Sequence, residues 1–420
     1  MTEAQARRAG LPHAVFLQRV ADEPAASSEV RLGQGAFLAL RFVDLLSPDR
    51  ESPTLDVFRY QWAATERYCA ELAGEGTEAA HLSGIVNATG EAHRTGDMSL
   101  LAPALLAYAL YLEQESNVLE AEDTLETLIA VCGSRLPAAD QVVAWLRLGR
   151  VRRVQADFDR AHLAYAEAGR IAHSSNDKPS QLLSRVGQCN VMYFRGNLAE
   201  AEDGWRSVLA DAQTVGARRV EAEAEHGLGN VLHRRGETHE GIPHLWRAFE
   251  LSEDTTAQLR ALGDLGLSFL TLGHVDAAEQ ALHEVVRRGG SGEAAINAGI
   301  ELMHCASFRR DRVSFERWRD RVAAQFHEQT LPNLRADYYL KMGIGFARFG
   351  NVRRAQNEVR RALEIASAHG LHEMVFRIER LLDGLNDCGA ADFSASAAST
   401  PVIESDSLRE VSASLAALSQ

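Results

Sequence analysis

Cysteine, proline, lysine and aromatic residues are all scarce in this chain, and each shortage excludes something. The five cysteines, Cys69, Cys132, Cys189, Cys305 and Cys388, are scattered, odd in number and form no CxxC pair. That spacing supports neither a disulfide framework nor a thiolate zinc site. Aromatics make up 7% of the residues and prolines number 10, while Ala, Leu, Arg and Glu dominate. Such a mix favours helix over a strand-rich sandwich or barrel, which needs β-branched and aromatic side chains. Lys178 and Lys341 are the only lysines, against 44 basic residues in all, which reads as compositional bias rather than mechanism. Long apolar runs are missing too. The stretch Leu100–Leu112 is broken by Pro103 and followed by Glu113, too short to cross a bilayer. Met1–Val30 carries no charged-then-apolar segment with a cleavage site, so the expected compartment is the cytoplasm. A net charge of −14 argues against chain-wide nucleic-acid binding, since phosphate contacts need Lys and Arg in excess.

What the chain has is a repeat. Four turns align: Ala156-Asp157-Phe158-Asp159-Arg160-Ala161, Gly196-Asn197-Leu198-Ala199-Glu200-Ala201, Gly273-His274-Val275-Asp276-Ala277-Ala278 and Gly350-Asn351-Val352-Arg353-Arg354-Ala355. Each couples a helix-ending small residue to a polar residue and then an Ala on the next helix. Units starting near residues 62, 102, 142, 182, 222, 259, 296 and 336 are spaced by 37 or 40 residues. The eighth position of a unit reads Ala109, Gly149, Cys189, Gly229, Gly266 and, in the last unit, Gly343. The twentieth reads Ala121, Ala161, Ala201, Gly241, Ala278 and, again in the last unit, Ala355. Larger residues such as Leu148, Leu265, Tyr165, Trp205 and Leu282 fill between them, as ridge-into-groove packing of two helices requires. Glycine costs about 1 kcal/mol inside a helix, so its recurrence at one position implies close approach.

The pattern resembles the tetratricopeptide repeat. Trp145, Leu148-Gly149, Ala161, Tyr165 and Ala168 follow that family's Trp, Leu-Gly, Ala, aromatic, Ala order, and Leu265-Gly266 with Ala278 is nearly as good. The likeness covers roughly residues 55–385. The period is about 40 residues rather than 34, as in arrays that look like those of bacterial peptide-sensing regulators, and the family's proline closing the second helix is missing. The unit near 296 is degenerate, with Met303 and Phe315 at the two small positions. The resemblance implies an all-α, helical-hairpin solenoid of about eight units coiling as a right-handed superhelix with a concave groove. Residues 1–30 read as a partly disordered segment, 31–54 as a capping helix and linker, 55–386 as the array. Residues 387–420 read as a flexible linker and a short amphipathic helix carrying Leu408, Val411, Leu415 and Leu418 on one stripe. That helix is expected either to fray or to dock in the groove of its own or a neighbouring chain.

No motif speaks for an enzyme, a metal or a cofactor. His239-Glu240 with His244 is HExxxH, and imidazoles five residues apart on a helix diverge. Gly343-x-Gly345 and Gly33-x-Gly35 lack the strand that a phosphate loop follows, and no Ser sits in a GxSxG elbow. Positions 2, 5, 9 and 12 of each unit's first helix share one face, and the resemblance implies that this face lines the groove. Position 9 reads Arg150, Asn190 and Asn230 in three successive units, and position 12 reads Arg153, Tyr193 and His233, before Leu267 ends the series. Asn can donate to and accept from an extended peptide backbone, and Arg can hold a carboxylate. These six residues are the expected contacts for a peptide or partner-protein segment.

Charge is uneven along the chain: residues 1–130 carry a net −11 and residues 305–361 a net +7. The basic stretch includes Arg309, Arg310, Arg312, Arg317, Arg319 and Arg321, an expected patch for an acidic partner or for head-to-tail pairing of two copies. Few aromatics interleave there, so nucleic acid is the less expected partner, and residues 1–54 hold no helix-turn-helix.

Overall fold

A computed structural model describes residues 11–19, 27–48, 53–289, 292–326, 331–387 and 405–418. The described residues form nineteen α-helices joined by tight turns and short 3-10 segments. The first helix, α1 (Ser28–Val43), is followed by the hairpin α2 (Leu55–Glu71) and α3 (Thr77–Thr95). Next come α4 (Leu101–Gln114) with α5 (Val118–Cys132) and α6 (Ala138–Val154) with α7 (Phe158–Ser174). Then follow α8 (Lys178–Arg195), α9 (Leu198–Val215), and α10 (Arg218–Arg235) with α11 (Thr238–Leu251). The later hairpins are α12 (Thr255–Thr271) with α13 (Val275–Gly289), α14 (Glu293–Phe308) with α15 (Arg312–Ala323), and α16 (Pro332–Arg348) with α17 (Val352–Ala368). The chain ends with α18 (His372–Asp387) and α19 (Asp406–Leu418). It divides into two compact bodies, residues 1–197 and 198–420, each with its own apolar core.

The turns follow the repeat chemistry. Asp157 and Asn351 accept hydrogen bonds from the backbone N–H of Arg160 and Arg354, capping α7 and α17. Gly196 and Gly350 close the preceding helices at φ of 90° and 79°, where a side chain is strained. Gly273 does the same at φ 82°, and at the fourth of these turns Ala156 takes the role at φ 60°.

The recurrent glycines are where helices touch. A Cβ on Gly149 would sit 2.8 Å from the Tyr165 ring, and one on Gly187 would sit 2.3 Å from that same ring. Tyr165 is therefore held between its own hairpin and the next. Gly227 stands likewise against Trp205, at 2.3 Å, and Gly266 against Leu282, at 2.7 Å. The degenerate unit works by the same logic. Phe315, fully buried at a position that reads Ala or Gly in the better-matched units, is accommodated by Gly345, whose added Cβ would lie 2.3 Å from its ring. Gly266→Leu is expected to destabilise the protein by about 1–3 kcal/mol through overpacking, read as a lower urea midpoint; a wild-type curve would contradict the register.

Two flanking segments differ from expectation. Residues 11–19, placed by composition in a partly disordered stretch, are docked on α1, α3 and α5. Phe16 is fully buried there, and two cations fix the segment. Arg19 donates to Glu78 at 2.9 Å and to Glu120 at 2.9 Å, and His13 lies 2.6 Å from Asp123 and 3.3 Å from Asp44. The helix that follows begins at Ser28 rather than 31, because the Ser27 hydroxyl caps it. Residues 1–10 and 20–26 lie outside the described residues, as does the linker at 388–404. The terminal helix α19 neither frays nor enters a groove: Leu408, Val411 and Leu415 are buried against α11 and α13, the second helices of their hairpins.

Burial alone would lower the His13 pKa, but the Asp123 and Asp44 carboxylates outweigh it and raise it to about 9. A folded-state pKa above the unfolded value of about 6.5 means that the protonated ring stabilises the fold. That contribution, on the order of 3 kcal/mol, is complete below pH 6.5 and disappears as pH rises through 9. We expect the stability gap between wild type and His13→Gln to be wide at pH 6 and closed by pH 10. A gap independent of pH would contradict the pairing.

Candidate groove site

In the first body the sequence-derived groove residues sit on the first helices of their hairpins, and most are already engaged. Arg150 is exposed and lies 3.2 Å from Glu113, which also accepts from Arg147 at 3.1 Å. Arg153 is half-buried, its guanidinium 4.7 Å from the centre of the Phe194 ring and hydrogen-bonded to the Tyr165 hydroxyl. It therefore fixes the ring that Gly149 and Gly187 enclose, as well as facing outward. Asn190 and Tyr193 are half-buried on α8, with the Tyr193 ring packed edge-on against Phe194.

In the second body Asn230 does not present a free amide. Its Nδ2 donates to Asp264 Oδ2 at 3.1 Å, and His226 Nε2 lies 2.8 Å from the same oxygen. One amide proton of Asn230 is thereby committed to Asp264, which fixes how its amide is turned. His233 Nδ1 lies 3.3 Å from Ser268 Oγ; burial lowers its pKa, opposed by the Asp264 charge, and the ring is neutral at pH 7.

The polar lining does not end at Leu267. Beyond it α12, α14, α16 and α18 enclose a cavity of about 480 Å³ with Leu267, Leu270, Phe308 and Met374 among its apolar walls. Its polar part is Thr271 on α12, Asn297, Glu301 and His304 on α14, Asn333, Asp337 and Lys341 on α16, and Arg377 on α18. Lys341 Nζ is bonded to Glu301 and lies 2.8 Å from Asp337 Oδ2, and Glu301 and Lys341 are buried. Burial pushes the Glu301 carboxyl up against the pull of Lys341, while the two carboxylates keep Lys341 protonated despite its burial. The second Glu301 oxygen, Oε2, is buried and has no hydrogen-bond partner among the described residues. His304 is held well below its usual pKa by burial and by the Arg348, Lys341 and Arg377 charges. Arg348 can only donate, so His304 Nδ1, 3.4 Å from it, accepts, and the proton is on Nε2. Arg348 also donates to Ser307 at 2.7 Å and lies 3.6 Å over the Phe308 ring; burial lowers its pKa to about 10.

Sequence reasoning missed this cavity because Glu301 and Lys341 fall at position 6, off the stripe used to trace the groove. His304 at position 9, and Asn297 and Asp337 at position 2 of their units, were the available signals.

The basic patch is largely neutralised locally. Arg309 pairs with Asp276 and, at 3.0 Å, with Glu279; Arg319 pairs with Glu316 and, at 2.7 Å, with Asp320. Arg312 lies 3.8 Å from Glu316, and Arg321 sits 5.0 Å over the Trp318 ring. Arg310 closes its turn at φ 55°, and Arg317 shares α15 with them. Summed charge over residues 305–361 overstated the patch, because Asp276 and Glu279, the partners of Arg309 on α13, fall outside the summed stretch. His244 turns to Glu225, 2.5 Å away, and not to His239. No group of three or more metal-ligating side chains occurs among the described residues, and no described helix is long and apolar enough to cross a membrane.

No family model matches the chain, and no curated protein sequence matches it. Solved structures do. The Rap conjugation gene regulator of the plasmid pLS20, in complex with the Phr* peptide, superposes with a TM-score of 0.51 at 12% identity, over 84% of this chain and 97% of that one. The apo form of the quorum sensor NprR from B. thuringiensis gives 0.47 at 11%, over 83% and 98%. Aspartyl phosphate phosphatase F from Bacillus subtilis gives 0.47 at 8%, over 91% and 98%. At these identities the likeness is one of fold.

Proposed function

We propose that this all-helical protein of tetratricopeptide type is a non-catalytic, cytoplasmic adaptor that binds a peptide or an extended partner segment along the first helices of its hairpins. The observation that carries the reading is the wall of the second body. There Asn230, His233 and the Glu301–Lys341–Asp337 cluster place oriented hydrogen-bonding groups beside a cavity with apolar walls. Oriented polar groups in a concave, partly apolar wall are what an extended peptide needs, since its backbone amides must find partners as water leaves. Arg150, Arg153, Asn190 and Tyr193 would be the corresponding contacts within the first body. The pLS20 regulator, which shares the fold, is in complex with a peptide, the ligand class proposed here.

Alanine at Asn190 and Asn230 together is expected to weaken capture of a partner from native lysate by protein that is still folded, with the melting temperature lowered by a few degrees because Asp264 loses the Asn230 donor. Equal capture by both proteins would overturn the assignment.

A further inference from the structure

The cavity of the second body has one unanswered polar atom, and it is an acceptor. Glu301 Oε2 is buried without a donor among the described residues, while Oε1 is taken by Lys341. The Lys341 ammonium is in turn shared with Asp337 at 2.8 Å. The buried cluster thus holds two carboxylates and one ammonium, one negative charge in excess. Two further cations lie close, and the Arg377 charge acts on the Glu301 carboxyl, but neither donates a hydrogen bond to Oε2. Arg377 is exposed, where solvent screens it, and Arg348 is engaged by Ser307, His304 and the Phe308 ring. Leu267, Leu270, Phe308 and Met374 line the same cavity as Glu301 and give it an apolar wall beside its polar one. A long aliphatic stem with a donating, positively charged head satisfies both features at once. A carboxylate would meet Glu301 unpaired, and an aliphatic side chain would leave Oε2 buried and unsatisfied.

We propose that this cavity is a pocket for a basic side chain, a Lys or Arg of the bound peptide, with its stem along Leu267, Leu270 and Phe308 and its head donating to Glu301 Oε2. The assignment rests on the peptide-groove reading and adds a specificity to it.

The test is selection of a displayed random-hexapeptide library on the full chain, on Glu301→Gln and on Leu267→Trp. Glu301→Gln removes the charge at constant shape. Leu267→Trp fills the mouth of the cavity from a partly exposed position and leaves the buried cluster untouched, so it carries the comparison if the first variant fails to fold. Wild type should enrich peptides with Lys or Arg at one fixed position. Both variants should lose that preference by about tenfold or more, as expected for a charge-assisted hydrogen bond. Enrichment without a basic position, or a basic preference that survives in both variants, overturns the pocket and leaves the groove reading standing. No enrichment of any peptide by wild type overturns both.

Discussion

Lys341→Met destabilises the second body by about 3–5 kcal/mol, the expected cost of removing one partner from a buried ion pair. The lysine ammonium is the one cation bonded to both Glu301 and Asp337, and methionine keeps the stem while leaving two carboxylates in a buried site. Solvent reaches neither Glu301 nor Lys341 well enough to screen the loss. The carboxylates would then take up a proton to avoid the charge. The variant should consequently recover stability as the pH is lowered toward 5, whereas a packing defect would not. A second change distinguishes the causes further: Glu301→Gln in the Lys341→Met background removes one uncompensated charge and should recover part of the loss. Urea midpoints for the four proteins of this cycle measure the coupling, and additive losses would contradict it.

Arg19→Met is expected to cost a similar amount, about 3–5 kcal/mol, in the first body. Arg19 is the cation between Glu78 and Glu120, and it lies in a segment separated from them by 59 and 101 residues. Glu78 also accepts from the buried Tyr108 hydroxyl at 2.7 Å, and Glu120 is buried on α5. Burial together with the Glu78 charge holds the Tyr108 hydroxyl well above its usual pKa, so it stays a donor. Without Arg19 these carboxylates share that one hydroxyl and no cation. Loss of the docking also exposes Phe16, which adds apolar surface to the electrostatic cost. The expected reading is a lower urea midpoint together with faster proteolysis near residues 11–19. A wild-type midpoint would mean that the segment contributes nothing to the stability of the body.

These two sites mark where sequence reading stopped. The hairpin register was legible because crossing helices need small residues, and Gly149, Gly266 and Gly343 recur at one position of a 37- or 40-residue unit. The apolar stripe of α19 was legible for the same periodic reason. Its receptor, formed by α11 and α13, was not, because no local pattern states which distant face a helix covers. Arg19 and His13 looked like part of a polar terminus, since their partners lie up to 110 residues away. Nothing local in the sequence marks Lys341 and Glu301 as a buried pair; only the packing of α14 against α16 makes them one. In the groove series the chemistry of each rung depends on neighbours that lie far along the chain. Asn230 is turned by Asp264, and Arg150 is met by Glu113.

The central claim, that the partner lies along the first helices, can be tested with a photo-crosslinking residue at each of two exposed positions. Leu267 is 38% exposed and lines the cavity, whereas Val313 is 70% exposed on α15, a second helix. Irradiation in native lysate should join the partner to residue 267 and leave residue 313 without adduct. Crosslinks at 313 alone, or the same adducts at both, would contradict the claim.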